Sequence, residues 1–260
     1  MFRKVEDIAF RHGYSVIFSG SNWSAERELY LFEQMIQMRV CGLVLCLCEK
    51  SSDGVAALDR FRLPYIAVDS YPDWYGGAYV ANDFHLAGEL AARHLFEHGC
   101  RRPSYFTADS DMNKLSAFVG MQKSFTGYFQ RHGVEMTPQD VVEAGLCIRT
   151  GRSAFDRVAA EGKRYDSVFC ANDLCAMGVL EAAESHAVTP GKDIAVVGVD
   201  DIEVSSFSKV SLTTIRQPYE QMAEIAVQEL LKAIQAKSLP NINLKLPAEL
   251  VVRKSSQLAK

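Results

Sequence analysis

The sequence predicts an α/β protein of doubly wound parallel sheets covered by helices and divided into two lobes, on three observations. Short apolar runs alternate with amphipathic helical periods along most of the 260 residues. The apolar runs are continuous rather than alternating, the pattern of strands buried on both faces. Several helical periods also stop alike: Arg11-His12-Gly13, Glu97-His98-Gly99 and Arg131-His132-Gly133 each place a polar or basic pair in the last turn and Gly just beyond it. Cations suit the negative end of a helix, and Gly tolerates the left-handed cap. A βαβα rhythm with such stops is that of a parallel sheet.

Taken in order, Tyr14–Phe18, Gly42–Cys48, Pro64–Asp69, Ser104–Thr107, Ser167–Ala171 and Ile194–Val199 read as buried strands. Helical periods cover Val5–Arg11, Ala25–Arg39, Leu86–Glu97, Ser116–Arg131, Ser153–Ala160, Asp173–Ser185 and Tyr219–Ala236. Turn chemistry fills Tyr71-Pro72-Asp73-Trp74-Tyr75-Gly76-Gly77. A lobe boundary is expected near Ala78–Phe84, after which the rhythm starts afresh. The Arg-His-Gly stop occurs on both sides of that boundary, each time followed by an apolar strand, consistent with two similar lobes. The chain opens inside an amphipathic helix with no strand before it, so the first lobe is expected to lack its opening strand. From Ser255 onward the tail is polar and expected to fray.

Composition excludes several classes. Lys and Arg number 28 against 32 Asp and Glu, a formal net charge of −4. This chain by itself therefore lacks the basic excess of a phosphate-backbone binder. Its longest apolar runs, Val40–Leu47 and Ile194–Val199, fall far short of the ~20 residues a membrane helix needs. The N-terminus has no apolar signal-peptide core. An odd count of seven cysteines, mostly in apolar stretches, suits free thiols in a reducing, cytoplasmic compartment. Phosphate-loop, dinucleotide, zinc-protease and nucleophile-elbow motifs are absent, so the expectation is a protein that is not an enzyme, with neither cofactor nor metal. Cys46-x-Cys48 reads as buried thiols of a strand. His12, His98 and His132 read as helix ends, and His85 and His94 as helix positions.

Three strands end in carboxylates or amides: Pro64–Asp69, Val168 to Asn172-Asp173, and Ile194 to Asp200-Asp201. Ligands of open parallel sheets bind outside the carboxyl ends of strands. Short acceptors there, with an amide that both donates and accepts, suit a polyhydroxylated small molecule. Asp173 and Asp201 are better read as caps of the next helix. Asn172 and Asp200 are the better candidates for ligand contact, because no helix needs both members of a pair. In Leu212-Thr213-Thr214-Ile215-Arg216-Gln217-Pro218-Tyr219 a strand meets a helix at Pro. It reads either as an ordinary β-to-α junction or as a crossover between lobes that turns Gln217 and Tyr219 toward a cleft.

Ala171-Asn172-Asp173-x-x-Ala176-Met177-Gly178, Val196-Val197-Gly198-Val199-Asp200-Asp201, Leu212 to Pro218 and Glu249-Leu250-Val251-Val252-Arg253-Lys254-Ser255-Ser256 follow one another in order. Arg39 to Leu45 and Ala87-Gly88-x-x-Ala91-x-x-His94-Leu95 extend the pattern upstream. Together they resemble the effector-binding core of the lactose-repressor/galactose-repressor (LacI/GalR) family of transcription regulators, across nearly the whole chain. The resemblance implies a type I periplasmic-binding-protein-like fold, two lobes joined by three crossovers: 1–81 plus 219–246, and 82–218 plus 247–260. It also implies a small effector, a carbohydrate by preference, held between the lobes by Asp69, Asn172, Asp200 and Gln217 with Tyr219 as an aromatic wall. The implied partners are a second copy of the chain and operator DNA, reached through a helix-turn-helix head that these residues do not include.

This sequence departs from the family at two effector positions. An arginine clamp is replaced by Ala117, for which Lys114 or Arg149 could substitute, and a frequent aromatic wall position is Leu146. A sugar-binding protein of an ABC importer is the alternative of the same fold. The missing signal peptide, the thiols and the Thr213–Pro218 motif weigh against it.

Overall fold

The computed structural model describes residues 1–258. In chain order its elements are α1 (Phe2–Arg11), α2 (Ala25–Gln37), β1 (Leu43–Leu45), α3 (Asp53–Phe61), β2 (Tyr65–Asp69), β3 (Tyr79–Asn82), α4 (Phe84–Glu97), β4 (Pro103–Thr107) and α5 (Ser116–Arg131). They continue with β5 (Val141–Glu143), α6 (Ile148–Ala160), β6 (Ser167–Cys170), α7 (Asp173–Ser185), β7 (Ala195–Asp200), β8 (Thr213–Arg216), α8 (Tyr219–Ala236), β9 (Asn243–Leu246) and β10 (Glu249–Val251). Side-chain caps start several helices: Ser24 Oγ accepts from Arg27 N at 3.3 Å, and Asp83 Oδ1 from Leu86 N at 2.9 Å. Gly13, Gly99 and Gly133 follow their helices at φ of +80°, +89° and +77°, which is why a glycine stands at each stop.

Residues 1–82 and 218–246 form one compact unit, and residues 83–217 with the described residues from 247 onward form the other, so the chain passes between units three times. The first holds a fully parallel sheet in the order β1-β2-β3-β9. Successive residues of β2 supply its two faces, as a two-residue period requires. Tyr65 and Ala67 pack with Leu45 against Phe32 of α2 and Val55 and Leu58 of α3. Ile66 and Val68 pack with Val80 against Met222, Ala226 and Leu230 of α8. A third cluster joins Val5 and Ile8 of α1 to Ala223, Val227 and Leu231 of α8.

The second unit has six strands in the order β10-β8-β7-β6-β4-β5, parallel except for β10, which runs antiparallel to β8. One face is aromatic: Phe169 lies 5.3 Å from Tyr105 and 5.1 Å from Phe125, ring centre to ring centre. Phe106, Val168, Cys170 and Val196 cover the other face, against Ala154 and Phe155 of α6 and Cys175 and Val179 of α7. Gly151 and Gly178 let α6 and α7 touch backbone to backbone. A Cβ at either would collide with main-chain atoms of the facing helix.

Four sequence expectations need correction. Tyr14–Phe18 forms no strand: β1 is the edge of its sheet and pairs only with β2, and the apolar segment is held by side-chain packing of Tyr14 and Val16 against the α1–α8 cluster rather than by a ladder. Strand β1 stops at Leu45, so Cys46 and Cys48 lie in the loop beyond it. Helix α3 and strands β3, β5 and β9 were not expected, three of them being strands of three or four residues with little apolar periodicity. The tail at Ser255–Ser256 does not fray. Ser255 Oγ accepts from Thr213 N and donates to Val196 O, at 2.8 and 2.7 Å. Ser256 Oγ donates to Thr213 Oγ1 at 2.7 Å and meets His94 Nε2 at 2.7 Å, and both serines are buried. His94 is thereby a buried structural histidine, and burial lowers its pKa to about 4.

Candidate functional site

In the first unit, Asp69 closes β2 in a left-handed conformation, φ +75°. For a residue other than glycine, such backbone costs roughly 1–3 kcal/mol and persists where the surroundings enforce it. The enforcing contacts are visible. Asp69 N donates to Met222 Sδ of α8 at 3.1 Å, and Asn82 Nδ2 at the end of β3 donates to Asp69 Oδ1 at 2.6 Å. Burial pushes the Asp69 carboxyl up to about 6, assisted by the negative charge of Glu49 and opposed by the Asn82 bond. Around it, Ser70 Oγ donates to Glu49 Oε1 at 2.7 Å, and buried Glu28 of α2 accepts from Cys48 N at 2.8 Å and from Cys48 Sγ at 3.4 Å. The carboxyl end of this sheet thus carries three acidic groups. Tyr219, the first residue of α8, packs beside the Met222 cluster of the same unit.

In the second unit, β5 and β6 flank β4, so the chain reverses direction across the sheet between them. The carboxyl ends of strands at such a switch point leave a crevice for a ligand. Asn172 and Leu146 meet there: Asn172 Nδ2 donates to Leu146 O at 3.0 Å, and Asn172 Oδ1 accepts from Cys175 N at 2.8 Å. Asn172, expected as the ligand-facing member of its pair, is therefore also the cap of α7.

Asp173, expected to be the cap, is instead wholly buried and accepts from Ile202 N, Ser205 Oγ and Thr214 Oγ1 at 3.0, 2.6 and 2.5 Å. Gly198 of β7 makes room for it, since a Cβ there would strike the carboxylate. Burial raises the Asp173 carboxyl pKa, and its hydrogen bonds oppose that shift.

Asp200 and Asp201, at and just past the end of β7, both have positive φ, +111° and +53°. Asp201 caps no helix. Its oxygens accept from Arg216 Nε at 2.7 Å and Arg253 Nη2 at 2.6 Å. Burial pulls its pKa upward, but the two guanidinium groups outweigh that and hold it below the usual carboxylate range. Gln217, one residue beyond β8, is only 4% exposed, yet neither its amide nitrogen nor its amide oxygen has a hydrogen-bond partner. Buried amides are nearly always paired, so an orphaned one calls for an explanation. Ala117 lies in the first turn of α5, buried and apolar where the resembling family carries a cation.

Asp69 and Tyr219 therefore belong to the first unit, and Leu146, Asn172, Asp200 and Gln217 to the second. Reading the sequence missed Asn82 and Glu28. Asn82 closes an unexpected strand, and Glu28 looks like any polar residue of an amphipathic helix. Among the described residues no helix is long and apolar enough to cross a membrane.

Comparison with known proteins agrees with this architecture. The family model for the periplasmic binding protein-like domain matches residues 92–256. The chain belongs to the periplasmic binding protein-like domain family, as the effector-binding core of a LacI/GalR-type transcription regulator. The "HTH-type transcriptional repressor PurR" of Pasteurella multocida is 27% identical over 252 residues, covering 96% of this chain and 75% of that protein. The "Ribose operon repressor" of Escherichia coli is 28% identical over 257 residues, covering 98% and 77%. Among solved structures, the dimeric Lac repressor with an 11-residue C-terminal deletion superposes with a TM-score of 0.87 at 22% identity, covering 100% of this chain and 93% of that one. A LacI family regulator from Enterococcus faecium with bound ribose gives 0.86 at 20% identity, with coverage of 100% and 93%.

Proposed function

We propose that this core senses a small, neutral, polyhydroxylated metabolite of the sugar class, with Asp69, Asn172, Asp200 and Gln217 as its polar contacts and Tyr219 and Leu146 as apolar walls. The observation that carries the reading is the orphaned amide of buried Gln217, which has a donor and an acceptor to offer at no cost in existing bonds. Carboxylates and an amide at strand ends suit hydroxyl groups. With Ala117 at the cation position, an anionic effector would have to draw its counter-charge from Lys114 or Arg149 instead. Relatives named for ribose, by title or by bound ligand, point to the same class.

An effector that prefers one arrangement of the two units shifts a two-state equilibrium by its differential affinity. In the full regulator that shift sets the spacing of two helix-turn-helix heads on a dimer, which must match half-sites about one DNA turn apart. The relatives are repressors rather than importer components, so the importer alternative is not favoured.

Thermal unfolding with D-ribose and a panel of neutral hexoses tests the proposal. One of them should raise the melting temperature in the manner of RT ln(1 + [L]/Kd). Asp200→Ala and Gln217→Ala should each abolish the rise while the free variants still melt cooperatively. Stabilisation by an anionic metabolite alone, or one untouched by both substitutions, would remove the sugar reading.

A further inference from the structure

The turn between β2 and β3 contains Trp74, which no part of the effector reading uses. It borders a hollow of about 460 Å³ in the first unit, within the range of roughly 300–1,000 Å³ typical of small-molecule sites. The hollow lies at the amino ends of the strands. Tyr65, which opens β2, and Asn243, which opens β9, both line it. Asp69 is at the opposite end of β2, about 13 Å away at the rise of a strand. None of the residues assigned to the effector lines this cavity.

Its walls combine two kinds of group. Trp74 and Leu239 leave 43% and 49% of their surface in water, an exposure that costs free energy and is usual only singly. Here both face one concavity. Ser52, Asp59, Asn241 and Asn243 line it as well. Asp59 Oδ1 is held in place by the Tyr65 hydroxyl, which donates to it at 2.7 Å. The lining contains one carboxylate and no Lys, Arg or His, so a phosphorylated or carboxylated ligand would meet Asp59 with nothing to offset the repulsion. An exposed indole beside amides and a carboxylate instead matches a neutral saccharide ring, which is apolar on its C–H face and edged with hydroxyls.

We infer that this hollow is a second saccharide-binding site, independent of the effector site. Gly76 belongs to its lining, with open space where a Cβ would go and no positive φ, so Gly76→Val adds bulk at the hollow without straining the turn.

The chain has two tryptophans, so a ¹⁵N-labelled protein shows two indole N–H signals, and Trp23→Phe identifies that of Trp74. Titration with methyl β-D-glucopyranoside, D-galactose and cellobiose should move the Trp74 signal saturably with at least one of them and leave Trp23 in place. Gly76→Val should abolish the movement. Asn241→Ala, an exposed loop change, should weaken it by about tenfold, the equivalent of one lost hydrogen bond. Gln217→Ala should leave it intact. The inference is overturned if no neutral saccharide moves the signal, if glucose 6-phosphate or a short peptide moves it better, if the movement survives Gly76→Val, or if it vanishes with Gln217→Ala.

Discussion

Asp69 and Gln217 carry the most informative physics at the scale of single residues. Asp69 has a folded pKa of about 6 against an ordinary 3.8. A carboxyl raised on folding favours the native state below its unfolded pKa and loses that contribution as pH climbs through the folded one. Stability attributable to Asp69 should therefore fall between about pH 4 and 6, by roughly 2 kcal/mol after allowing for its partial exposure. Denaturant titrations of wild type and Asp69→Asn across that window should diverge in slope, and a constant offset would show the shift to be absent. For Gln217 the sign is reversed from that of an ordinary polar truncation. Its buried amide makes no bond, so Gln217→Met relieves a desolvation cost of about 1–3 kcal/mol. The variant should be more stable without ligand and less responsive to sugar. A loss of stability in the free variant would show that the amide is satisfied in solution.

Elements are joined here by buried hydroxyls and a buried carboxylate rather than by apolar contact alone. Thr213 at the start of β8 donates from Oγ1 to Arg253 O at 2.9 Å and accepts there from Arg253 N at 2.8 Å and Ser256 Oγ at 2.7 Å. Thr213→Val keeps the shape and orphans those partners, so a loss of about 2–4 kcal/mol is expected in chemical denaturation. Hydrogen exchange should rise first at the C-terminal residues. Sequence patterning could not show this clamp: Ser255-Ser256 is locally polar, and its partners Thr213, Val196 and His94 lie 42 to 162 residues upstream. Asp173 is a similar case. Its position just before a helical period suggests a cap, while its actual partners, Ser205 and Thr214, come together only when β7 and β8 pair. The long helices and buried strands were legible because their periodicity is local, whereas three- and four-residue strands such as β3 and β9 owe their existence to neighbours.

Over the whole molecule, an apolar surface on the first unit bears on assembly. Phe2 and Phe18 pair edge to face with ring centres 5.3 Å apart, and Phe2, Phe10, Ile17 and Phe18 are 63%, 78%, 57% and 50% exposed. Large exposed apolar groups in one region mark an interaction surface. We propose that a second copy of this chain covers it, since exposed aromatic rings paired on one face gain most from burial against their like. Sedimentation should show a dimer that Phe18→Lys shifts toward monomer, with the melting profile of each unit preserved. A wild-type chain that sediments as a monomer at high concentration would place the dimer contact elsewhere.

What the sequence determined by itself was the α/β class, the glycine-stopped helices, the strand ends rich in carboxylate and amide, and a family resemblance carried by ordered motifs. Each of these rests on interactions among residues a few positions apart or on residue identities in fixed order. Only the tertiary structure decided which aspartate caps and which is buried, that Gln217 keeps an unpaired amide, that the Ser255–Ser256 segment is locked in place, and that Trp74 borders a hollow. Those outcomes depend on burial and on partners distant in the chain, and no local pattern encodes desolvation or the arrival of a donor from another strand.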